Sequence, residues 1–427
     1  MQQNLLKTLI VSAIVSLVVF VGESQAAEWH KGQLHCHSYW SDGHTLPELA
    51  ITWYKDHGYH FVALTDHSIL QLDPNNWKEV PEDRIAESRK RFGQDWVETK
   101  EANGKTLVRL KTFAELAAKL NEAGKFVLIP GHEQNTDVGG VSLHANAINI
   151  TESIPFPGHF PTVAEGALAW RKAALENSAK NGLEGYWMLN HPEYPYYEES
   201  PEDLITASDI EFYERFNPSE PKKQQPQMPS SEKYWDIVNA FRLLAGAKPI
   251  YGVATDDAHH YPTSSATAAV LIGHGLLGHG WVAVRSETLD ANSLIRAMKK
   301  GNFYSSTGVV LKDVRFDPAT KTLSVEVEPA KNVQYSIKFV GTKKGFDTKK
   351  EPFVIPQDGN RLAMRKGFTY SDQIGATFKT VEGTTASYQM APDDMYVRAI
   401  VTASKTQAKF GLGKAAVDSA WTQPVGW

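Results

Sequence analysis

The chain has 427 residues, of which 42% are hydrophobic and 22% charged, and its net charge is −5. This composition is that of a globular protein, and the length favours one large domain with a smaller one. Without a basic excess, neither nucleic acid nor an anionic membrane surface is expected as a partner. A single cysteine, Cys36, excludes an intramolecular disulfide. The unusual feature of the composition is its fifteen histidines.

The N-terminal residues are typical of a signal peptide. Lys7 precedes an apolar run over residues 9–21, and Ser24-Gln25-Ala26 supplies the small residues of a cleavage site. The run is short for a bilayer span, which favours cleavage over an uncleaved anchor. We therefore expect residues 1–26 to be removed and the mature protein to be periplasmic or secreted, with no stable membrane anchor.

Residues 27–305 alternate short apolar runs with helical segments, a pattern that predicts parallel strands joined by helices. The predicted strands are residues 33–37, 61–65, 126–130, 145–150, 186–189, 209–213 and 250–255. Capping boxes start at Thr45, Thr112 and Thr162, and Gly58, Gly124 and Gly182 are placed to end the helices that follow. Seven strands in this order predict an α/β fold, namely a distorted (β/α)7 TIM-like barrel.

Three segments depart from the alternating pattern. The polar residues 68–111 predict a helical insertion near the barrel mouth. Residues 217–231 contain four prolines and predict a mobile surface loop rather than a substrate lid. After residue 305 the alternation becomes that of strands, which predicts an antiparallel β-sandwich domain over residues 306–427 without chemistry of its own.

Histidines and carboxylates follow the predicted strands at their carboxyl ends, which meet on one face of a parallel barrel. They are His35, His37, His67, Glu133, His191, Asp257 and His259. Strand alternation turns His35 and His37 inward and Cys36 outward, where a buried thiol is favoured over a thiolate ligand. Inward-facing imidazoles need polar partners, and a divalent metal satisfies them. Mixed imidazole and carboxylate ligands suit Zn, Mn or Fe better than Ca or Mg.

These motifs resemble those of the PHP (polymerase and histidinol phosphatase) family, in the family's order and over about residues 31–305. They are Leu34-His35-Cys36-His37-Ser38 with Ser41-Asp42-Gly43, Leu64-Thr65-Asp66-His67, Gly131-His132-Glu133, Asn190-His191-Pro192 and Asp257-Ala258-His259. Residues 281–284, 301–308 and 420–424 resemble the CehA/McbA branch of this family, so the β-sandwich is expected to belong to that branch.

The resemblance implies a seven-stranded barrel that holds two or three divalent metal ions. The ligands carried over by motif are His35, His37, Asp42, His67, Glu133, His144, His191, Asp257 and His259. His144 is matched through His144-Ala145-Asn146, and Asp42 has a turn residue as its alternative reading. In the branch an asparagine commonly follows a Glu-x-aromatic sequence. Glu211-Phe212-Tyr213-Glu214 departs from this pattern, so the resemblance gives Glu211 and Glu214 no role.

Further roles are predicted around the ligands. Asp66, Asp256 and His260 adjoin them and are candidates for hydrogen bonding to the ligand shell, with solvated loop positions as the alternative. Glu133 and Asp257 are expected to be bridging or reactive-end carboxylates, and Asp257 is the one side chain expected to share in catalysis directly.

The expected function is hydrolysis of a small-molecule phosphate mono- or diester by metal-bound hydroxide. The branch resemblance gives a second hypothesis, hydrolysis of a carbamate, carboxylic ester or amide, which requires nearly the same chemistry at the metals. A third hypothesis, from another class, is a non-catalytic metal-binding module. No protein partner is implied.

Overall fold

The computed structural model describes residues 27–193, 198–218, 227–262, 277–355, 365–405 and 417–427. The predicted signal peptide lies outside these ranges, as do residues 219–226 of the predicted mobile loop. Within them, no helix combines the length and the apolar character needed to cross a bilayer.

The first half of the described chain alternates strands and helices. Its strands are β1 (Glu28–Gln33), β2 (Phe61–Leu64), β3 (Trp77–Glu79), β4 (Thr99–Ala102), β5 (Lys105–Arg109), β6 (Val127–Val138), β7 (Val141–Ile148), β8 (Tyr186–Leu189), β9 (Phe212–Phe216), β10 (Tyr251–Ala254), β11 (Trp281–Ser286) and β12 (Phe303–Ser306). Its helices are α1 (Pro47–Asp56), α2 (Glu82–Phe92), α3 (Phe113–Leu120), α4 (Val163–Lys180), α5 (Pro201–Thr206), α6 (Ser231–Leu244) and α7 (Ala291–Lys299), with a 3₁₀ turn at Gln94–Trp96.

The second half consists of strands. They are β13 (Leu311–Asp317), β14 (Thr322–Val327), β15 (Tyr335–Lys343), β16 (Lys350–Ile355), β17 (Arg365–Tyr370), β18 (Ala376–Glu382), β19 (Thr385–Gln389), β20 (Asp394–Ala403) and β21 (Ser419–Thr422). The strands β13, β14 and β19 form one antiparallel sheet, and β16 pairs with β17. The antiparallel character predicted for this region is therefore confirmed. The predicted domain boundary after residue 305 falls within β12, which pairs with β21.

Two of the three predicted capping boxes are present. Thr112 and Thr162 each accept a hydrogen bond from the backbone N–H of the glutamate three residues later, which caps α3 and α4. The prediction for Thr45 is wrong, because α1 begins at Pro47 with Leu46 as its N-cap. Glu48 is instead buried and accepts a 2.6 Å hydrogen bond from Ser88 Oγ on α2.

Two of the three glycines predicted to end helices do so. Gly58 and Gly182 follow α1 and α4 with φ of +76° and +68°, the left-handed conformation that favours glycine. The prediction for Gly124 is wrong, because α3 ends at Leu120 with Asn121 as its C-cap, and Gly124 lies in the turn between Glu122 and Phe126.

The central sheet has thirteen strands in the order β10-β9-β8-β7-β6-β2-β1-β11-β12-β21-β20-β15-β18 among the described residues. Strands β1, β2 and β6 run parallel, as do β8, β9 and β10. Strand β7 is antiparallel to both of its neighbours, β6 and β8. The predicted alternation of seven strands and helices is thus wrong at this point, because β6 turns at Gly139-Gly140 directly into β7 without a helix between them.

The part of the sheet from β10 to β1 is curved so that its two edges approach each other. Cys36, which follows β1, forms an isolated parallel bridge with Ala258, which follows β10. The backbone N–H of His37 donates to the Ala258 carbonyl at 2.9 Å. The segments that leave β1 and β10 at their carboxyl ends are therefore neighbours.

Two predicted strands are displaced along the chain. The first, β1, ends at Gln33, because it pairs with β11 from Glu28 onward. The sixth predicted strand, β9, starts at Phe212, where it pairs with Tyr251 of β10. His35 and His37 consequently lie just after a strand, whereas Glu214 lies inside one.

The insertion at residues 68–111 is only partly helical, contrary to the prediction. It contains α2 and a three-stranded antiparallel sheet in the order β3-β5-β4. Arg84 on α2 donates to the backbone carbonyls of Tyr261 and Pro262 at 2.6 and 3.0 Å. The insertion is thereby attached to the segment that follows His259.

Candidate metal centre

The structure brings all nine predicted ligands together, near the carboxyl ends of β1, β2, β8 and β10 and within β6 and β7. Their side chains fall into three groups, and within each group the potential ligand atoms lie within 4.8 Å of one another. The first group is His37, Asp42, His67 and His259; the second is His35, His37, Glu133 and Asp257; the third is Glu133, His144 and His191. His37 and Glu133 each belong to two groups, so the three groups are contiguous.

Glu133 is the most central side chain of the cluster. It lies on β6, is 1% exposed, and has imidazole nitrogens on both sides of its carboxylate. Its Oε2 atom lies 2.9–3.5 Å from nitrogens of His67, His35 and His37. Its Oε1 atom lies 3.4–3.5 Å from nitrogens of His144 and His191.

Asp257 and Asp42 complete the acidic part of the cluster. Asp257 Oδ1 lies 3.2 Å from His35 Nε2 and 3.1 Å from His37 Nε2. Asp42 is the most exposed ligand, with 59% of its side chain accessible, and its Oδ1 atom lies 3.3 Å from His259 Nε2 and 3.5 Å from His67 Nε2. Asp42 thus faces these nitrogens and also lies in the turn that follows His37.

The spacing of these atoms fits metal coordination better than hydrogen bonding. Two ligand atoms that each lie ~2.1 Å from one tetrahedral ion are about 3.4 Å apart. Four buried atoms of the cluster have no hydrogen-bond partner although carboxylate or imidazole atoms are close by: His35 Nε2, His67 Nδ1, Glu133 Oε2 and His144 Nδ1. Buried polar atoms without partners are costly, and cations bound in the three groups would satisfy all four.

Two ligands lie in a strained backbone conformation. Asp257 has φ of +48° and His191 has φ of +26°, and positive φ is uncommon for residues other than glycine. Such outliers persist where the surrounding structure holds them in place, and they concentrate at functional sites.

The pKa values of His37 and Glu133 suit cation binding, whereas His35 must lose a proton to bind a cation. Burial lowers the pKa of His35, but the charges of Asp257, Glu133 and Glu214 outweigh it and raise that pKa well above its usual range. Burial lowers the pKa of His37 to about 3, and repulsion from the neighbouring His259 acts in the same direction. Burial alone would raise the pKa of Glu133, but the charges of His35 and His67 outweigh it and hold that pKa well below its usual range. His37 is therefore neutral and Glu133 ionised, as ligands must be.

Glu214 is a site residue to which sequence reasoning gave no role. Its Oε1 atom lies 2.9 Å from His35 Nδ1, and its Oε2 atom accepts the backbone N–H of His191 at 2.9 Å. Thr255 Oγ1 also donates to Glu214. A carboxylate that receives Nδ1–H fixes the imidazole so that its Nε2 atom faces the cluster, which is the usual arrangement behind a metal-ligating histidine.

Two asparagines hold the carboxylates of the cluster, and neither was predicted. Asn190 Nδ2 donates to Glu133 Oε1 at 2.8 Å, and Asn217 Nδ2 donates to Asp257 Oδ2 at 3.1 Å. A sequence signal did exist for Asn217. The Glu-x-aromatic pattern followed by asparagine occurs at Glu214-Arg215-Phe216-Asn217, three residues after the position at which it was sought.

Asp66, Asp256 and His260 lie around the cluster. Asp66 accepts hydrogen bonds from the Ser38 backbone N–H at 2.7 Å and from Ser41 Oγ at 2.9 Å, and thus shapes the turn between His37 and Asp42. Asp256 accepts three backbone N–H groups of residues 278–280 and therefore anchors that segment. The ring of His260 stacks on His44, with the centroids 4.3 Å apart.

Two neighbours in the motifs face away from the cluster. Cys36 is fully buried, its Sγ atom lies 3.5 Å from the Ala63 carbonyl, and burial raises the pKa of its thiol, as the prediction of a buried thiol requires. His132 precedes Glu133 on β6, where strand alternation points it to the opposite face, and its Nε2 atom lies 3.3 Å from the Ile154 backbone nitrogen.

No family model and no curated protein matches the chain. Among solved structures, the chain is similar to a two-domain protein from Bacteroides vulgatus that contains a predicted PHP-like metal-dependent phosphoesterase, with 14% identity and a TM-score of 0.39, over 93% of this chain and 96% of that one. It is also similar to a putative metal-dependent phosphoesterase from Bifidobacterium adolescentis, with 14% identity and a TM-score of 0.28, over 55% of this chain and 90% of that one. A third similar structure is an amidohydrolase from Chromobacterium violaceum, with 13% identity and a TM-score of 0.26, over 53% of this chain and 87% of that one. These similarities are weak, and the functional proposal rests on the chain's own residues.

Proposed function

We propose that this chain is an exported metal-dependent hydrolase of the PHP family that cleaves phosphate mono- or diesters. The observation that carries the proposal is the convergence of nine imidazole and carboxylate side chains into three contiguous ligand groups. The buried atoms of this cluster that lack hydrogen-bond partners are imidazole and carboxylate atoms, the kind that a divalent cation binds.

The chain's residues would act chiefly by holding and orienting cations. The first two groups share His37, and the last two share Glu133. These shared ligands would keep neighbouring cations close together. When bound, divalent ions lower the pKa of a coordinated water and stabilise negative charge that develops on a substrate. Glu214 and Asn217 would fix His35 and Asp257 in the orientation that this chemistry requires.

The charge of the ligand set favours an anionic substrate. The nine ligands include three carboxylates, Asp42, Glu133 and Asp257, and six imidazoles, of which His37 is neutral. Two or three divalent cations would more than offset three negative charges when the imidazoles coordinate in their neutral form. A positive site attracts the phosphoryl group and stabilises its transition state.

A second candidate function is hydrolysis of a carbamate, carboxylic ester or amide, as in the CehA/McbA branch. The observation that favours it is the Glu-x-aromatic-Asn pattern at Glu214–Asn217, because both end residues contact ligands of the cluster. The branch commonly has this pattern, and Glu211–Glu214 lacks its asparagine.

A paired assay decides between the two functions. The purified protein is stripped of metal, reloaded with Zn, Mn or Fe, and given 4-nitrophenyl phosphate, bis(4-nitrophenyl) phosphate and a 4-nitrophenyl carbamate. We expect metal-dependent release of nitrophenol from a phosphoester, and loss of both metal and rate in His67→Ala and Asp257→Ala. Turnover of the carbamate alone would favour the second function. Full metal occupancy without turnover of any ester would support a non-catalytic metal-binding module.

Export is a separate part of the proposal and has its own test. The apolar run at residues 9–21 and the small residues before Ala27 support cleavage by a signal peptidase. We expect the protein from a periplasmic extract or culture medium to have the mass of a chain that begins at Ala27. A full-length chain in the membrane fraction would contradict this.

A further inference from the structure

A cavity lies at the opposite ends of β1 and β10 from the metal centre. Its volume is about 680 Å³, which is within the range of small-molecule sites. Its wall includes Trp29 in β1, Tyr251 at the start of β10 and Phe303 at the start of β12, whereas the ligands follow the carboxyl ends of β1 and β10. Six residues of extended chain separate Trp29 from His35, a span of about 20 Å at ~3.3 Å per residue.

The wall of this cavity carries an excess of positive charge. Arg285, Lys300, Arg315 and Lys321 line it, against the terminal carboxylate of Trp427 and no carboxylate side chain among the described residues. Arg285 and Arg315 share the carboxylate of Asp313, which lies beside the cavity. Neither lysine forms an ion pair within the described part of the chain. At least two cations are therefore available to a ligand.

Aromatic rings occupy the same wall. Trp29, Tyr251, Phe303, Phe316 and Trp427 line the cavity. The Arg285 guanidinium lies over the Trp29 ring at 4.2 Å from its centroid, so one cation and one aromatic surface are already joined. Positive charges beside flat apolar surfaces are complementary to a ligand that combines an anionic group with an aromatic ring.

We propose that this cavity, between the start of β1 and the sheet that contains β13 and β14, is a binding site for a small aromatic anion. Lys300 and Lys321 contact its anionic group, and the rings of Trp29 and Phe316 contact its aromatic part. The site is separate from the metal centre, so occupancy of one does not require occupancy of the other.

The probe is naphthalene-2-sulfonate, which offers an aromatic ring and a sulfonate without a hydrolysable ester. Binding is measured by isothermal titration calorimetry on the full chain, both metal-loaded and chelator-treated. Naphthalene-2-methanol tests the ring without the charge, and inorganic sulfate tests an anion without the ring. We expect saturable binding of one sulfonate per chain in both metal states, and weaker binding of the alcohol and of sulfate.

Charge reversal locates the probe. Lys300→Glu and Lys321→Glu should each weaken sulfonate binding by about fivefold or more, and the double variant should lose more than either. The control is Lys338→Glu, the same charge change at an exposed position on β15, and it should bind like the wild type. Circular dichroism verifies the fold of each variant.

Three results would overturn the proposal. Equal affinities of the wild type, Lys300→Glu and Lys321→Glu would show that these lysines contact no ligand. If naphthalene-2-methanol bound with the same affinity as naphthalene-2-sulfonate, the site would not require an anionic group. Loss of binding after chelation would place the probe at the metal centre instead.

Discussion

Two clusters of charged side chains, one around Glu133 and one around Asp236, differ in the positive charges that the chain itself supplies to their carboxylates. Asp236 on α6 accepts hydrogen bonds from Tyr396 Oη at 2.7 Å and from two nitrogens of Arg398 at 2.8 and 2.9 Å. Glu232 receives Arg398 on one oxygen and Arg215 on the other. Two arginines thus face two carboxylates, and every carboxylate oxygen has a donor, although three guanidinium nitrogens of these arginines are buried without a partner.

The cluster around Glu133 has histidines, and no permanently charged side chain, as its source of positive charge. Within the described residues, no lysine or arginine forms an ion pair with Asp42, Glu133 or Asp257, whose partners are histidines. Glu133 Oε2 and His35 Nε2 have no hydrogen-bond partner.

The difference separates a structural role from a functional one. A buried charge is tolerated when it is paired, as Asp236 is, because desolvation is then offset by attraction and hydrogen bonds. In the Glu133 cluster, by contrast, protons on the histidines or cations from solution supply the positive charge. The Asp236 cluster should therefore govern stability, and the Glu133 cluster should govern metal content and turnover.

The largest effect is expected from Glu133→Gln, which removes the carboxylate shared by two ligand groups. Metal stabilisation of developing charge is worth several kcal/mol, so we expect hydrolysis to fall at least ~10³-fold and the bound metal to decrease. Elemental analysis and steady-state kinetics measure both. Glu211→Gln is the matched control, because Glu211 pairs with Arg171 outside the cluster. Wild-type turnover in Glu133→Gln would refute the assignment of Glu133 as a ligand.

Arg398→Met tests the other side of the comparison. It leaves Asp236 buried without its cation, and breaking a buried pair in this way costs about 3–5 kcal/mol. Urea denaturation should show this loss, whereas the metal content of the folded variant stays unchanged.

The double variant Arg398→Met, Asp236→Leu separates lost pairing from lost packing. It should regain part of the stability, because neither charge is then left alone in the interior. A double variant no more stable than Arg398→Met would show that packing of the arginine, rather than its charge, is what matters.

The two clusters also differ in how far the sequence predicts them. Seven of the nine ligands could be named because they were predicted at the ends of parallel strands, which converge. Asp42 and His144 were named through the motifs of the family resemblance. Nothing comparable marks Asp236 and Arg398, which lie 162 residues apart in a helix and a strand of ordinary sequence. Their pairing depends on how β20 packs against α6, which no local pattern encodes.

Strand boundaries explain why Glu214 had no predicted role. A strand over residues 209–213 would have placed Glu214 in a loop after the strand. The observed β9 extends to Phe216, because its pairing with β10 starts at Phe212, and Glu214 therefore points inward toward His35. Similarly, the antiparallel turn from β6 to β7 was missed, although the paired glycines at 139 and 140 were visible in the sequence.

Glu214→Gln should have an intermediate effect. Glutamine keeps the size of the side chain but weakens its hold on His35 Nδ1, and such changes behind a metal ligand typically cost ~10–100-fold in metal affinity or activity. Excess metal in the assay should restore part of the rate, unlike in Glu133→Gln. Glu211→Gln again serves as the control. A loss that excess metal leaves unchanged would indicate that Glu214 acts on the substrate instead.

The smallest effect concerns the pH dependence of the Asp236 cluster, through Glu232. Burial alone would raise the pKa of Glu232, but the charges of Arg215 and Arg398 outweigh it and lower that pKa below its usual 4.5. A lowered folded-state pKa stabilises the protein above the unfolded value, and this contribution is lost as the pH falls below 4.5 and through the folded pKa. With 35% of the side chain exposed, screening keeps the contribution below about 1 kcal/mol. The unfolding free energy of the wild type should therefore exceed that of Glu232→Gln at pH 7, and the gap should narrow on acidification. A gap that widens toward low pH would mean that Glu232 is destabilised, not stabilised, by its surroundings.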